Sequence, residues 1–155
     1  MKSTLVLFLA SPMLLAQGAG LQGGGTITLG QEPYRFEPAS LMASKADAKH
    51  MRALQIRGRL VPKDPSKALD LELVAMGTHY IYRLSLVRQE RGIEKERWAA
   101  TLKTQIWVEA PEKPKAGDRA TFKVSGPLTG SVDGLGRQTT WSGEIWAAFS
   151  VEQVP

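Results

Sequence analysis

The side chains of this 155-residue sequence that could do chemistry are few: two histidines, a tryptophan–carboxylate group near the C-terminus and a run of basic residues. The histidines, His50 and His79, lie 29 residues apart, so no His-x-x-x-His pair exists to seed a metal site, and no metal or cofactor is expected. There is no cysteine, which excludes thiol catalysis, disulfides and Cys-based metal centres. Neither Gly-x-Ser-x-Gly nor Ser-x-x-Lys occurs. The glycine spacing of Gly25 and Gly30 is that of a phosphate loop, but Gln31-Glu32 follows where lysine and a hydroxyl residue belong. The chain reads as a non-enzyme.

Trp107, Glu144 and Trp146 are the candidate ligand contacts. Strand alternation puts all three on outward-facing positions, where an indole beside a carboxylate can stack on a sugar ring and accept its hydroxyl hydrogen bonds, or anchor a protein contact. The competing explanation is that a loop, a short helix or a second sheet covers these rings, since tryptophan is ordinarily well buried. Trp98 and Trp141 fall on inward positions and belong to the core.

The second candidate is a basic patch. Between Lys45 and Lys67 seven lysines and arginines face only Asp47 and Asp64. Arg57 and Arg59 are expected to pair with Glu72 and Asp70, which leaves Lys45, Lys49, Arg52, Lys63 and Lys67 as a contact for anionic polysaccharide or lipid head groups. The ordinary alternative is a solvated face. The formal charge of +4 that remains once Lys2 is removed with the expected leader is too mild to point to nucleic acid.

The first residues read as an address. Lys2 precedes the apolar run from Leu5 to Ala16, and Gln17-Gly18-Ala19-Gly20 supplies small residues. That is the pattern of a secretory signal peptide over residues 1–18, cleaved after Gly18 or, second, after Ala19; it is too short to be a membrane span. The expected destination is the periplasm or the medium. The remaining chain divides into a flexible lead-in, 19–25, and one domain, 26–155, with a formal charge of +4 once Lys2 is gone.

What must position the candidates is a sheet. Apolar residues alternate with polar ones along Leu54–Val61, Leu69–Ala75, Tyr80–Leu86, Trp98–Val108, Ala120–Val124 and Trp141–Val151, which predicts half-buried antiparallel strands. Thr26–Leu29 and Tyr34–Phe36 add an opening hairpin, and Ser44–Asp47 introduces at most one short helix near 45–52. Leu60 opposite Leu69 would set Arg59 against Asp70 and Arg57 against Glu72; Leu73 opposite Tyr82 would set Arg83 against Glu72. The charged segment Arg88–Arg97 reads as a solvated connection, and Gly126-Pro127 and Gly130 should bend or bulge their strand.

The expectation is an all-β domain, a single antiparallel β-sandwich or β-barrel of about eight or nine strands. Three functions are compatible with it. The first is a non-catalytic exported binding module. The second is a barrel carrier of a small apolar ligand, which needs a hollow interior in place of one filled by Trp98, Phe122, Trp141 and Phe149. The third is a small carbohydrate-active hydrolase, in which Glu144 needs a second carboxyl group across a cleft.

Overall fold

The computed structural model describes residues 21–44 and 52–149. The leader, the predicted short helix save Arg52, and Lys45, Lys49 and His50 lie outside the described residues; Arg52 itself is irregular. Nine strands follow in order: β1 (Gly23–Leu29), β2 (Glu32–Ala43), β3 (Ala53–Val61), β4 (Leu69–Met76), β5 (Tyr80–Glu90), β6 (Ile93–Ala100), β7 (Gln105–Glu109), β8 (Arg119–Val132) and β9 (Leu135–Ala148). All pairings are antiparallel, in the order β6-β5-β4-β3-β2-β1-β9-β8, and β6 pairs again with β8 to close an eight-stranded barrel. The ninth strand, β7, lies beside β6 along the same edge of β8.

Alternation explains the wall. On β3 Leu54, Ile56, Gly58 and Leu60 are buried, and on β4 Leu69, Leu71, Leu73 and Ala75, while the residues between them face out. The β3–β4 register matches the charge argument: Leu60 faces Leu69, Arg59 faces Asp70 and Arg57 faces Glu72. Trp98, Phe122, Trp141 and Phe149 are all buried inside. Space for large rings comes from missing Cβ atoms. A Cβ on Gly58 would lie 2.6 Å from the Phe36 ring, and one on Gly130 would lie 2.9 Å from Trp98.

Four expectations are corrected. First, Leu73 faces Leu84 and not Tyr82. A bulge between Val74 and Ala75 leaves Tyr82 without a register partner on β4, so Tyr80 and Tyr82 face solvent and Ile81 turns inward. Arg83 still reaches Glu72, diagonally, at 3.8 Å. Second, Trp98–Val108 is not one strand. Thr101–Thr104 forms a turn between β6 and β7, and Leu102, expected inside, is fully exposed.

Third, Arg88–Arg97 is a hairpin, not a solvated connection. Arg91 and Gly92 both take positive φ, 54° and 77°, the geometry of a two-residue turn that suits strand twist. Arg88 continues the inward line of Leu84 and Leu86 and is only 7% exposed. It pairs with Glu90 and, at 3.4 Å, with Glu96, which also accepts a 2.7 Å hydrogen bond from the Trp98 indole. Tyr34 lies in the same electrostatic neighbourhood; burial first, then Glu32 and Glu96, push its phenol up to about 12, so it stays neutral.

Fourth, Gly126-Pro127 does not bulge β8 against β9, whose pairing runs unbroken from Arg119–Ala148 to Val132–Leu135. The discontinuity falls on the other edge, where β8 leaves β7 after Ser125 and takes up β6 from Leu128. Proline has no N–H to leave unpaired there. Gly126, at φ 103°, lets Lys103 come close: its Cβ would sit 2.7 Å from the Lys103 carbonyl oxygen.

Two outcomes test this account. The Arg57 guanidinium donates to Glu72 at 2.8 Å and holds its carboxyl below the ordinary value, so the pair stabilises the fold above the normal carboxylate range and loses that contribution as pH falls through the lowered pKa. A double-mutant cycle on Arg57→Ala and Glu72→Ala, read by chemical denaturation, should give a coupling of about 0.2–1 kcal/mol at neutral pH, fading on acidification. Arg88→Met leaves Glu96, 14% exposed and still bonded to the Trp98 indole, without its cation and should cost about 1–3 kcal/mol, whereas Arg59→Met, at the exposed end of a 4.0 Å pair, should cost under about 1 kcal/mol.

Candidate functional site

The outer face of β7, β8, β9 and β1 is ordered in rows by the register. Trp107 stands opposite Lys123, Lys123 opposite Glu144, and Glu144 opposite Thr26. The next row carries Glu109, Thr121, Trp146 and Gly24. Trp107, Glu144 and Trp146 therefore share one outward face, with Trp107 about 10 Å from Glu144 across β8. The two indoles are separated by both a strand and a row and do not adjoin.

Their environments differ. Trp146 is half-buried, with its indole nitrogen 3.7 Å from the place a Gly24 Cβ would take and the Arg119 guanidinium 3.9 Å from its ring centre. Arg119, at the start of β8, thus lies over Trp146. Trp107 remains 49% exposed. Its ring lies nearly parallel to that of His79 from the β4–β5 turn, with centroids 6.5 Å apart and planes 17° apart.

Beside Trp107 opens a cleft of about 490 Å3 lined by His79, Thr104, Gln105, Ile106, Trp107, Lys123, Val124 and Ser125. Local sequence builds it. The Thr101–Thr104 turn is tied by Thr104 Oγ1, which accepts from the Thr101 amide at 2.7 Å and donates to the Pro127 carbonyl at 2.6 Å. Thr101 Oγ1 accepts from the Lys103 amide at 3.0 Å. At the other end the Val108 amide donates to the Thr78 carbonyl at 2.7 Å, so β7 is anchored to the turn that carries His79. The polar groups inside are the Lys123 ammonium, the Gln105 amide, the Ser125 hydroxyl and the His79 imidazole, whose Nδ1 lies 3.1 Å from Thr78 Oγ1.

Of the candidate basic residues, the three that are described, Arg52, Lys63 and Lys67, do not share one place. Arg52 sits at the barrel end that holds the β4–β5 turn, where its guanidinium donates to the Pro111 carbonyl and its own carbonyl accepts from Gly77. Lys63 precedes and Lys67 ends the 3-10 turn Pro65–Lys67 at the opposite end, a full strand length away. Among the described residues no three of His, Asp and Glu gather into a metal-binding group.

Sequence reasoning reached Trp107 but not its cleft companions Lys123, Gln105, Ser125 and His79. The signal for Lys123 and Ser125 was present: both flank Val124 on the predicted Ala120–Val124 strand and so face out. His79 had no such signal, since its place beside Trp107 depends on how β4–β5 closes against β7. Comparison with protein-family models, curated proteins and solved structures found no match.

Arg119 over Trp146 gives a separable prediction. Arg119→Ala should leave the fold intact at a cost of about 0.5–1 kcal/mol and raise acrylamide quenching of tryptophan fluorescence. The same change in a Trp146→Phe background should leave quenching unaltered.

Proposed function

We propose that this chain is an exported, non-catalytic binding domain that takes its ligand on the outer face of β7 and β8, over Trp107. The observation that carries the reading is the exposed indole held beside a walled cleft whose polar groups come from three separate elements. Ligand sites combine an aromatic or apolar surface with a few placed polar groups in this way. The aromatic filling of the barrel by Trp98, Phe122, Trp141 and Phe149 supports a surface ligand over a carried one. Glu144 stands in register with Lys123 rather than with a second carboxylate, which favours binding over hydrolysis.

The proposed leader, residues 1–18, supports a site of action in the periplasm or outside the cell. Among the described residues no helix is long and apolar enough to cross a membrane. Apart from the Arg88–Glu96 cluster the barrel is apolar within, and it carries its Arg57–Glu72 pair without, the reverse of a barrel that spans a bilayer.

Two measurements test this. The protein purified from the culture medium or periplasm of an expressing bacterium should begin at Ala19 or Gly20; a chain that still begins at Met1 and stays in the cytoplasm would count against export. In amide and indole NMR spectra, envelope polysaccharides should shift the Trp107 indole resonance and leave those of the buried Trp98 and Trp141 in place. Shifts confined to Trp98 and Trp141 would point to a ligand inside the barrel.

A further inference from the structure

The cleft beside Trp107 offers hydrogen-bond donors and positive charge and is lined by no carboxylate. Lys123 is exposed, and among the described residues it has no carboxylate oxygen within 4 Å, although Glu144 stands opposite it in register. Gln105 uses its carbonyl oxygen to accept from the Ser125 hydroxyl at 3.4 Å, so its amide hydrogens stay available. Thr104 has committed its hydroxyl to Pro127 and serves as a fixed wall. The ring wall is already assembled, because His79 and Trp107 lie as two displaced, nearly parallel planes.

Resting on the binding reading above, we propose that the ligand is an acidic saccharide, a sugar bearing a carboxylate or sulfate. Its ring packs on Trp107 and its anionic group sits between Lys123 and Gln105. A pyranose presents a flat face of C–H groups that suits an indole, and its hydroxyls meet Gln105 and Ser125. The anion supplies acceptors for the Lys123 ammonium and the Gln105 amide hydrogens in an otherwise largely apolar lining, and a charged acceptor on lysine makes a stronger bond than a neutral one. Glu144 lies beyond Lys123 on the far side of β8, so it disfavours an anion placed there and confines the charged group to the Trp107 side. A bilayer surface fits less well. Its head groups form a broad plane that recruits spread cations, whereas these donors converge in a walled depression and Lys63 and Lys67 lie at the other end of the barrel.

Calorimetric titration of the protein, without residues 1–18, tests the proposal with four probes: an oligogalacturonate, a chondroitin sulfate oligosaccharide, a neutral galacto-oligosaccharide of matched length, and phosphatidylcholine vesicles containing phosphatidylglycerol. At least one acidic oligosaccharide should bind about tenfold tighter than the neutral one, with the preference falling as salt rises. Lys123→Gln, an exposed change that leaves the fold in place, should bring acidic and neutral probes to similar affinity. Trp107→Ala, with its melting temperature checked against the parent, should weaken both. Equal binding of acidic and neutral sugars, unaffected by Lys123→Gln but lost in Trp107→Ala, overturns the acidic ligand and leaves the binding face standing. Vesicle binding without saccharide binding likewise overturns the saccharide alone, provided Trp107→Ala abolishes it. Binding that ignores Trp107→Ala, or no binding to any probe, overturns the acidic saccharide and the face together.

Discussion

Closing a β-barrel requires every strand of the ring to find two neighbours, and for the eight barrel strands of this protein that condition is met through β8. One edge of β8 pairs with β9 along its whole length, Arg119 to Val132. The other edge is shared, with Thr121–Ser125 against β7 and Leu128–Val132 against β6. A single fourteen-residue strand therefore seals the barrel at one end and carries an added strand at the other. Gly126 and Pro127 sit at the handover, where neither an extra Cβ nor an N–H is wanted.

The candidate site is a consequence of that handover. If β6 ran on without interruption, Leu102 would be an interior residue and no wall would stand at Thr104. The Thr101–Thr104 turn takes the chain out of the barrel and returns it to β8 at Gln105. β7 is then held at its far end by Thr78, which sets His79 beside Trp107. The cleft is thus framed by the added strand β7, the edge of β8 that carries it and the turn that holds its far end. Such framing suits a recognition surface, since polar groups on held strands lose little freedom when a ligand arrives.

The interior follows a different rule at the hairpin end, where Arg88, Glu96 and Tyr34 replace aliphatic side chains. Buried charges need partners, and here they have them: Arg88 has two carboxylates and Glu96 has both Arg88 and the Trp98 indole. This cluster was hidden in the sequence because seven of the ten residues Arg88–Arg97 are charged, and dense charge ordinarily means solvent. Only the inward phase of Leu84 and Leu86, continued by two residues, points Arg88 inside.

The all-β class, the inward lines on β3, β4 and β9, the β3–β4 register and the outward placement of Trp107, Glu144 and Trp146 were legible from the amino-acid order, because a side-chain period of two and opposite charges across a hairpin are local properties. Barrel rather than sandwich was not, since closure depends on which distant strands meet. The Tyr82 bulge that moved Leu73 onto Leu84 escaped for a related reason: a bulge changes phase without changing composition. The Arg119 cover on Trp146, the His79–Trp107 pair and the scattering of Arg52, Lys63 and Lys67 to opposite ends were decided by tertiary structure alone. Periodicity tells a side chain which face of its strand it occupies; only the packing of the whole barrel tells it what lies alongside.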